Sequence, residues 1–271
     1  MKEFLNQNKS LKRVILEIKE VAGYLWQQGW AERNAGNISV NITDLMLHNS
    51  PEKDPVSFHE LSIAYPRLSG SYFFVTGTGK RMRDLAGKPM KNAVLIKLSE
   101  DASGYNILLQ KANADIIMPT SELPTHLGIH QMIAERGSSE KVVMHTHASE
   151  LVTLTQPKEF CNQDVLNKIL WGMHPETIVF VPKGIGFVPY AIPGSVEIAK
   201  ATIKALHDHD VALWEKHGVF AVGRSVAETF DLIDILAKSA RIFFMCRSAN
   251  MDPEGLSDQQ LEELKKLSAN F

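Results

Sequence analysis

The chain has 271 residues, 44% of them apolar and 22% charged, an ordinary globular composition with enough length to bury a sizeable core. A formal net charge of −2 gives no reason to expect a nucleic-acid or anionic-membrane partner through bulk electrostatics, and any phosphate must be bound locally. Two cysteines, Cys161 and Cys246, exclude a disulfide scaffold; with no apolar leader at Met1-Lys2-Glu3-Phe4 and no membrane-length apolar run, the expectation is a cytoplasmic protein.

Leu11, Val14, Ile18, Val21 and Leu25 follow a 3-4-3-4 spacing, which predicts an amphipathic helix from Ser10 to about Trp30. The turn Asn34-Ala35-Gly36-Asn37 leads into Ile38–Ile42, which alternates like a strand. Residues 43–70 carry prolines, serines and mixed charge without periodicity and read as a long surface loop. Tyr72–Val75 is a strand running into Thr76-Gly77-Thr78-Gly79-Lys80, and a hairpin follows near Val94–Leu98 and Tyr105–Leu109. Thr120-Ser121-Glu122-Leu123-Pro124 opens a helix to about Ala134, since Pro124 suits only a first turn.

The apolar run Val142-Val143-Met144 is expected to be a buried strand. Beyond it we expect helix over about 149–170, a strand at Ile178–Val181 and a glycine turn near Gly184 and Gly186. Ser195 should cap a helix with Val196, Ala199, Ile203 and Leu206 inward, and Val211–Trp214 should be a strand. Ser225-x-x-Glu228 and Ser257-x-x-Gln260 are capping boxes for a long and a short final helix. Strands and helices interleave without a linker or a repeat, so the expected architecture is one α/β domain over 1–271, a central mixed sheet with helices on both faces.

His145 and His147 are spaced i, i+2 at a strand end, where alternate side chains share a face, so two imidazoles can converge on one divalent metal. His217, just past the strand Val211–Trp214, can complete a three-imidazole set with an open coordination position, the catalytic arrangement for zinc. Glu122, His126 and His130 lie at i, i+4 and i+8 on one helix face and form a rival ligand set. Glu122 at a helix start also suits a plain capping role. The turns at 34–37 and 76–80 could each offer convergent donors to an anion, although the glycine spacing of Thr76–Lys80 matches neither a Walker loop nor a dinucleotide fingerprint. Lys97 and Lys141, near strands, are the candidates for a Schiff-base alternative.

Five segments in order are similar to the class II aldolase/adducin family: Glu32–Asn37, Val75–Lys80, Thr120–Pro124, Met144–Ala148 and His217–Phe220. Chain length and the stretch from Leu170-Trp171 to Pro193-Gly194 resemble the branch acting on L-rhamnulose 1-phosphate more than the shorter fuculose-phosphate or ribulose-phosphate branches. The resemblance implies a class II lyase cleaving that sugar phosphate to dihydroxyacetone phosphate and L-lactaldehyde. It implies Zn²⁺ on His145, His147 and His217, and Glu122 as acid/base. Asn34, Gly36, Asn37, Thr78, Thr120 and Ser121 would line a phosphate pocket, and Glu176 would reach a neighbouring subunit's site in a homotetramer. A non-catalytic interaction module of the same family would have no use for all three histidines and Glu122.

Overall fold

The computed structural model describes residues 2–46, 57–109 and 116–268. The chain divides into two compact units, residues 1–144 with 223–227, and residues 145–222 with 228–271.

In the first unit, α1 (Lys2–Gln7) precedes α2 (Lys9–Gln27), the predicted amphipathic helix. Asn8 caps α2 by accepting the Leu11 N–H, and Leu11, Ile15, Ile18, Ala22 and Leu25 form its buried stripe. β1 (Asn37–Asn41) and α3 (Thr43–Met46) follow, then β2 (Ser57–Glu60), a 3₁₀ turn at Pro66–Leu68 and β3 (Tyr72–Thr76). The expected structureless stretch 43–70 thus contains a helical turn and an edge strand, although 47–56 lies outside the described residues. β2 alternates exposed Phe58 and Glu60 with half-buried Ser57 and His59, a short signal that the surrounding prolines and charges hide. α4 (Met82–Gly87), unforeseen in sequence, packs on α2, where Gly23 lies opposite Ala86. β4 (Ala93–Leu98) and β5 (Gly104–Leu108) form the predicted antiparallel hairpin, and α5 (Leu123–Glu135) has Pro124 in its first turn. The strand order β2-β5-β4-β3-β1 is antiparallel at every step. One sheet face contributes Phe73, Val75, Val94, Ile96, Leu98, Tyr105 and Ile107 to a core closed by Leu123 and Leu127 of α5.

β6 (Val142–Thr146) straddles the boundary, with Val142–Met144 in the first unit and His145–Thr146 in the second. The expected helical stretch 149–170 is broken near Pro157 into α6 (Ser149–Leu154), a 3₁₀ turn at Lys158–Phe160, and α7 (Gln163–Met173). Residues 175–180 correct the sequence reading: they form α8 (Pro175–Phe180), not a strand. The apolar run Ile178–Val181 is too short to separate the two periods, and Pro175 with Glu176 in the first turn suits a helix start. Thr177 and Ile178 are its buried positions, and Thr177 Oγ1 lies 2.6 Å from Ser239 Oγ.

β7 (Ile185–Val188) pairs parallel with β8 (Val211–Trp214), which pairs antiparallel with β9 (Gly218–Gly223), so the sheet is mixed and the class is α/β as expected. Ser195 caps α9 (Val196–Asp208) by accepting the Ile198 N–H. Its inward stripe is Ile198, Thr202 and Leu206; Val196, expected inside, is 60% exposed because it precedes that stripe by two positions. α10 (Val226–Ser248) is the long helix, and α11 (Asp258–Ser268) packs on α8. The capping box of α11 is reciprocal: Gln260 N–H donates to Ser257 Oγ at 3.3 Å, and Ser257 N–H to Gln260 Oε1 at 2.8 Å.

The predicted glycine turn resolves into two demands. Gly184 has φ +67°, and a Cβ there would strike the Asn167 side chain. Gly186 lies within β7, where Ala205 of α9 closes to 2.8 Å of its Cβ position. Buried Asn167 on α7 accepts the Ile185 N–H at 2.7 Å and donates to the Ile185 carbonyl at 3.1 Å, pinning the start of β7. Asn167→Ala leaves both buried backbone groups unpaired and should cost about 2–3 kcal/mol. The check is a lowered urea midpoint at unchanged slope, with a shift below about 0.5 kcal/mol ruling out this anchoring role.

Candidate active site

All five residues of β6 are buried, and the strand delivers buried His145 and, just past its end, half-buried His147. His217 stands in the turn between β8 and β9. Lys216 before it has φ +57°, a left-handed conformation unusual for a side-chain-bearing residue. The turn is held there because Lys216 N–H donates to the hydroxyl of fully buried Thr155 at 2.7 Å.

The ligand nitrogens of His145, His147 and His217 lie within 4.8 Å of one another. Among the described residues, no other group of three or more His, Cys, Asp or Glu side chains converges this way. His145 Nδ1 lies 2.9 Å from the Val219 carbonyl, which can only accept, so Nδ1 bears the proton and Nε2 carries the lone pair. The rings pack edge to face, with centroids 5.2 Å apart for His145–His147, 5.3 Å for His145–His217 and 4.8 Å for His147–His217. Phe220 stacks on His145 at 4.3 Å, and Trp214 lies 4.9 Å from His217, so aromatic walls restrict two of the three rotamers. Three preassembled imidazoles, with the His145 tautomer fixed, fit a divalent metal.

The rival set on α5 is engaged otherwise. Ser39 Oγ of β1 lies 2.7 Å from His126 Nδ1 and 2.9 Å from His130 Nε2, and His126 Nε2 bonds to Asn37 Oδ1. Burial pushes His130 down to about 3, so it is neutral near pH 7. Glu122 occupies the N-cap position of α5 but its side chain makes no capping bond; Oε2 instead accepts from Asn37 Nδ2 at 2.5 Å.

The three anion-candidate segments meet at one end of the first unit. In the antiparallel β1–β3 pair Ser39 faces Val75, which sets the turn before β1 beside the turn after β3. Gly77 bridges to Pro119, Thr78 N–H donates to the Met118 carbonyl at 2.9 Å, and Thr120 N–H donates to the Thr76 carbonyl at 2.8 Å. The segments that carry Asn34, Gly36, Asn37, Thr78, Thr120 and Ser121 thereby adjoin, and Gly36 (φ +80°) and Gly79 (φ +66°) take backbone shapes that suit glycine.

Glu176 sits in the first turn of α8, 53% exposed, with its carboxylate 3.1 Å from His174 Nε2. The two lysines considered for imine chemistry are in surface ion pairs, Lys97 with Glu100 at 3.3 Å and Lys141 with Asp44 at 2.6 Å. Sequence reasoning missed Trp214, Phe220, Thr155 and Ser39. Trp214 and Phe220 flank His217 in the chain and could have been suspected; Thr155 and Ser39 carry no local signal.

A Cβ on Gly218 would lie 2.5 Å from the Thr146 carbonyl, 3.0 Å from His147 and 3.3 Å from His145. Gly218→Ala must therefore spread the histidines, and we expect it to lower metal affinity by about 10–100-fold, as loss of metal-supporting contacts does. Competition against a coloured chelator reads this directly; wild-type affinity would show that the turn relaxes without moving the ligands.

Residues 17–244 match the family model described as Class II Aldolase and Adducin N-terminal domain. The chain is 44% identical over 265 residues to a rhamnulose-1-phosphate aldolase of Bacteroides thetaiotaomicron, covering 97% of each chain. It is 35% identical over 245 residues to one from Escherichia coli K12, covering 89% of this chain and 88% of that one. A crystal structure of a sugar-phosphate aldolase from Thermotoga maritima superposes with a TM-score of 0.76 at 37% identity, covering 90% of this chain and 99% of that one. The chain belongs to the class II aldolase and adducin family.

Proposed function

We propose that this protein cleaves L-rhamnulose 1-phosphate to dihydroxyacetone phosphate and L-lactaldehyde, a carbon–carbon lyase of rhamnose breakdown. The observation that carries the proposal is the convergence of His145, His147 and His217 within 4.8 Å, in a chain 44% identical to a protein of that name. Zn²⁺ is the proposed ion, because three neutral imidazoles with an open position are its catalytic ligand set. An ion held there supplies Lewis acidity for the negative charge that develops as the carbon–carbon bond breaks.

The remaining work falls to the chain's own groups. In the proposed cleavage the Glu122 carboxylate takes the substrate's hydroxyl proton as the carbon–carbon bond breaks and the aldehyde carbonyl forms, leaving a carbanion equivalent of dihydroxyacetone phosphate, short of one proton on carbon. Glu122 is the proposed proton donor in cleavage and the acceptor in the reverse aldol addition, and its anchored carboxylate and freedom from capping support that role. The phosphate is proposed to sit among Asn34, Gly36, Asn37, Thr78, Thr120 and Ser121, where it would fix the substrate's orientation. Asn37 retains a second Nδ2 proton for it beside the one given to Glu122.

We place Glu176 in a neighbouring subunit's site within a homotetramer; its exposure on α8 leaves the carboxylate accessible, and exposed Tyr190, Ile192 and Val196 offer apolar surface for assembly. Residues 1–271 act as one class II aldolase-like domain in this reading. A cytoplasmic setting is consistent with free Cys161 and Cys246, and among the described residues no helix is long and apolar enough to cross a membrane.

Purified protein should cleave rhamnulose 1-phosphate in preference to fuculose 1-phosphate, lose activity to a chelator, and regain it with Zn²⁺. Borohydride added with substrate should leave activity intact, because no imine forms; a trapped lysine adduct or full activity without metal contradicts the proposal. Glu122→Gln should keep its zinc yet exchange solvent deuterium into dihydroxyacetone phosphate about 10²-fold more slowly or worse, the lower end of general-acid effects. Exchange near the wild-type rate would remove Glu122 from the proton transfer.

A further inference from the structure

We propose that His126, Ser39 and His130 are positioning residues for Glu122, acting through Asn37; the proposal rests on the aldolase reading, in which Glu122 carries the proton. The four supporting side chains are buried in the first unit. Asn37 and Ser39 stand two apart on β1 and so share a face, while Glu122, His126 and His130 recur every four residues from the N-cap along α5. The strand and the helix interlock through these five groups.

With Glu122 ionised and both imidazoles neutral, the direction of each hydrogen bond is forced. Asn37 Nδ2–H donates to Glu122 Oε2 at 2.5 Å, so the amide oxygen points at His126. An amide oxygen only accepts, so His126 Nε2 must bear a proton, and in a neutral ring Nδ1 then carries the lone pair. Ser39 must therefore donate its hydroxyl proton to His126 Nδ1 at 2.7 Å. The Ser39 oxygen is left to accept from His130 Nε2–H at 2.9 Å. His130, packed against Phe73 with ring centroids 4.8 Å apart, is kept neutral by burial and can supply that proton.

Every donor in the series points toward the carboxylate, and hydrogen bonds aligned head to tail polarise one another. The consequence for Glu122 is orientational. Without His126, the Asn37 amide could rotate and present its oxygen to the carboxylate, which would repel it. His126 decides which end of Asn37 faces Glu122, Ser39 decides the His126 tautomer, and His130 decides where the Ser39 proton goes. Proton transfer to carbon depends steeply on placement, and a displacement near 1 Å can cost about 10²-fold.

The test is a mutant cycle in the zinc-reconstituted full chain, with His126→Leu, His126→Gln, Glu122→Gln and the His126→Leu/Glu122→Gln double variant. His126→Leu should lower kcat by about 10- to 100-fold, with zinc content retained and KM within about twofold of wild type. His126→Gln, whose amide can still donate to Asn37 Oδ1, should recover most of the loss. In the Glu122→Gln background His126→Leu should cost nothing more, because both changes act through one carboxylate. Ser39→Ala runs the same comparison should His126→Leu fail to fold. Undiminished kcat in His126→Leu, losses that multiply in the double variant, or His126→Gln no better than His126→Leu would each overturn the positioning role alone. A wild-type protein that cleaves no sugar phosphate would overturn the aldolase reading and this role with it.

Discussion

The hydrogen bond from His145 Nδ1 to the Val219 carbonyl is the interaction on which the candidate metal site depends. It joins the end of β6 to β9, fixes the His145 tautomer and aims Nε2 at the other two imidazoles. A histidine ligand whose second nitrogen is tied to a backbone carbonyl loses little freedom when a metal arrives. The neighbouring features serve the same end. Gly218 allows the close approach of Thr146 and the two histidines, Phe220 stacks on His145, and Thr155 holds the left-handed Lys216 that turns His217 inward. Strain at Lys216 is tolerated because buried Thr155 over-determines the turn.

The first unit solves a different problem, that of keeping a carboxylate anchored at a helix start without spending it on the helix. Glu122 has the position of a cap and not its bond; the Asn37 amide holds it instead. Each link of the buried chain behind Asn37 is a hydrogen bond, which matters because an unpaired polar group in such a place costs about 1–3 kcal/mol. Apolar residues could fill positions 39, 126 and 130 without that risk, so a buried polar chain ending on a carboxylate points to orientation as its use. The adjoining turns at 34–37 and 76–80 with the segment 118–122 carry amide and hydroxyl side chains that suit an anion, while the Thr78 and Thr120 N–H groups are spent on tying the segments together.

Much of this protein was legible in its sequence. The 3-4-3-4 spacing of α2, the alternation of β1, Pro124 in the first turn of α5 and the Ser257–Gln260 box each act over a few residues, and local sterics and hydrogen bonding decide them. The His145–His147 pair was legible for the same reason, since a strand's two-residue period puts both on one side. Only tertiary structure decided the rest. Residues 175–180 became a helix because a four-residue apolar run fits either period, and Val196 turned outward because the burial phase of α9 depends on what packs against it. The choice between the two histidine sets lay beyond any spacing rule. Ser39, far away in sequence, occupies the gap between His126 and His130, while Val219, Phe220 and Trp214 close around His145 and His217. Residue type and local period specify which groups can do chemistry; long-range packing specifies which of them converge on one point.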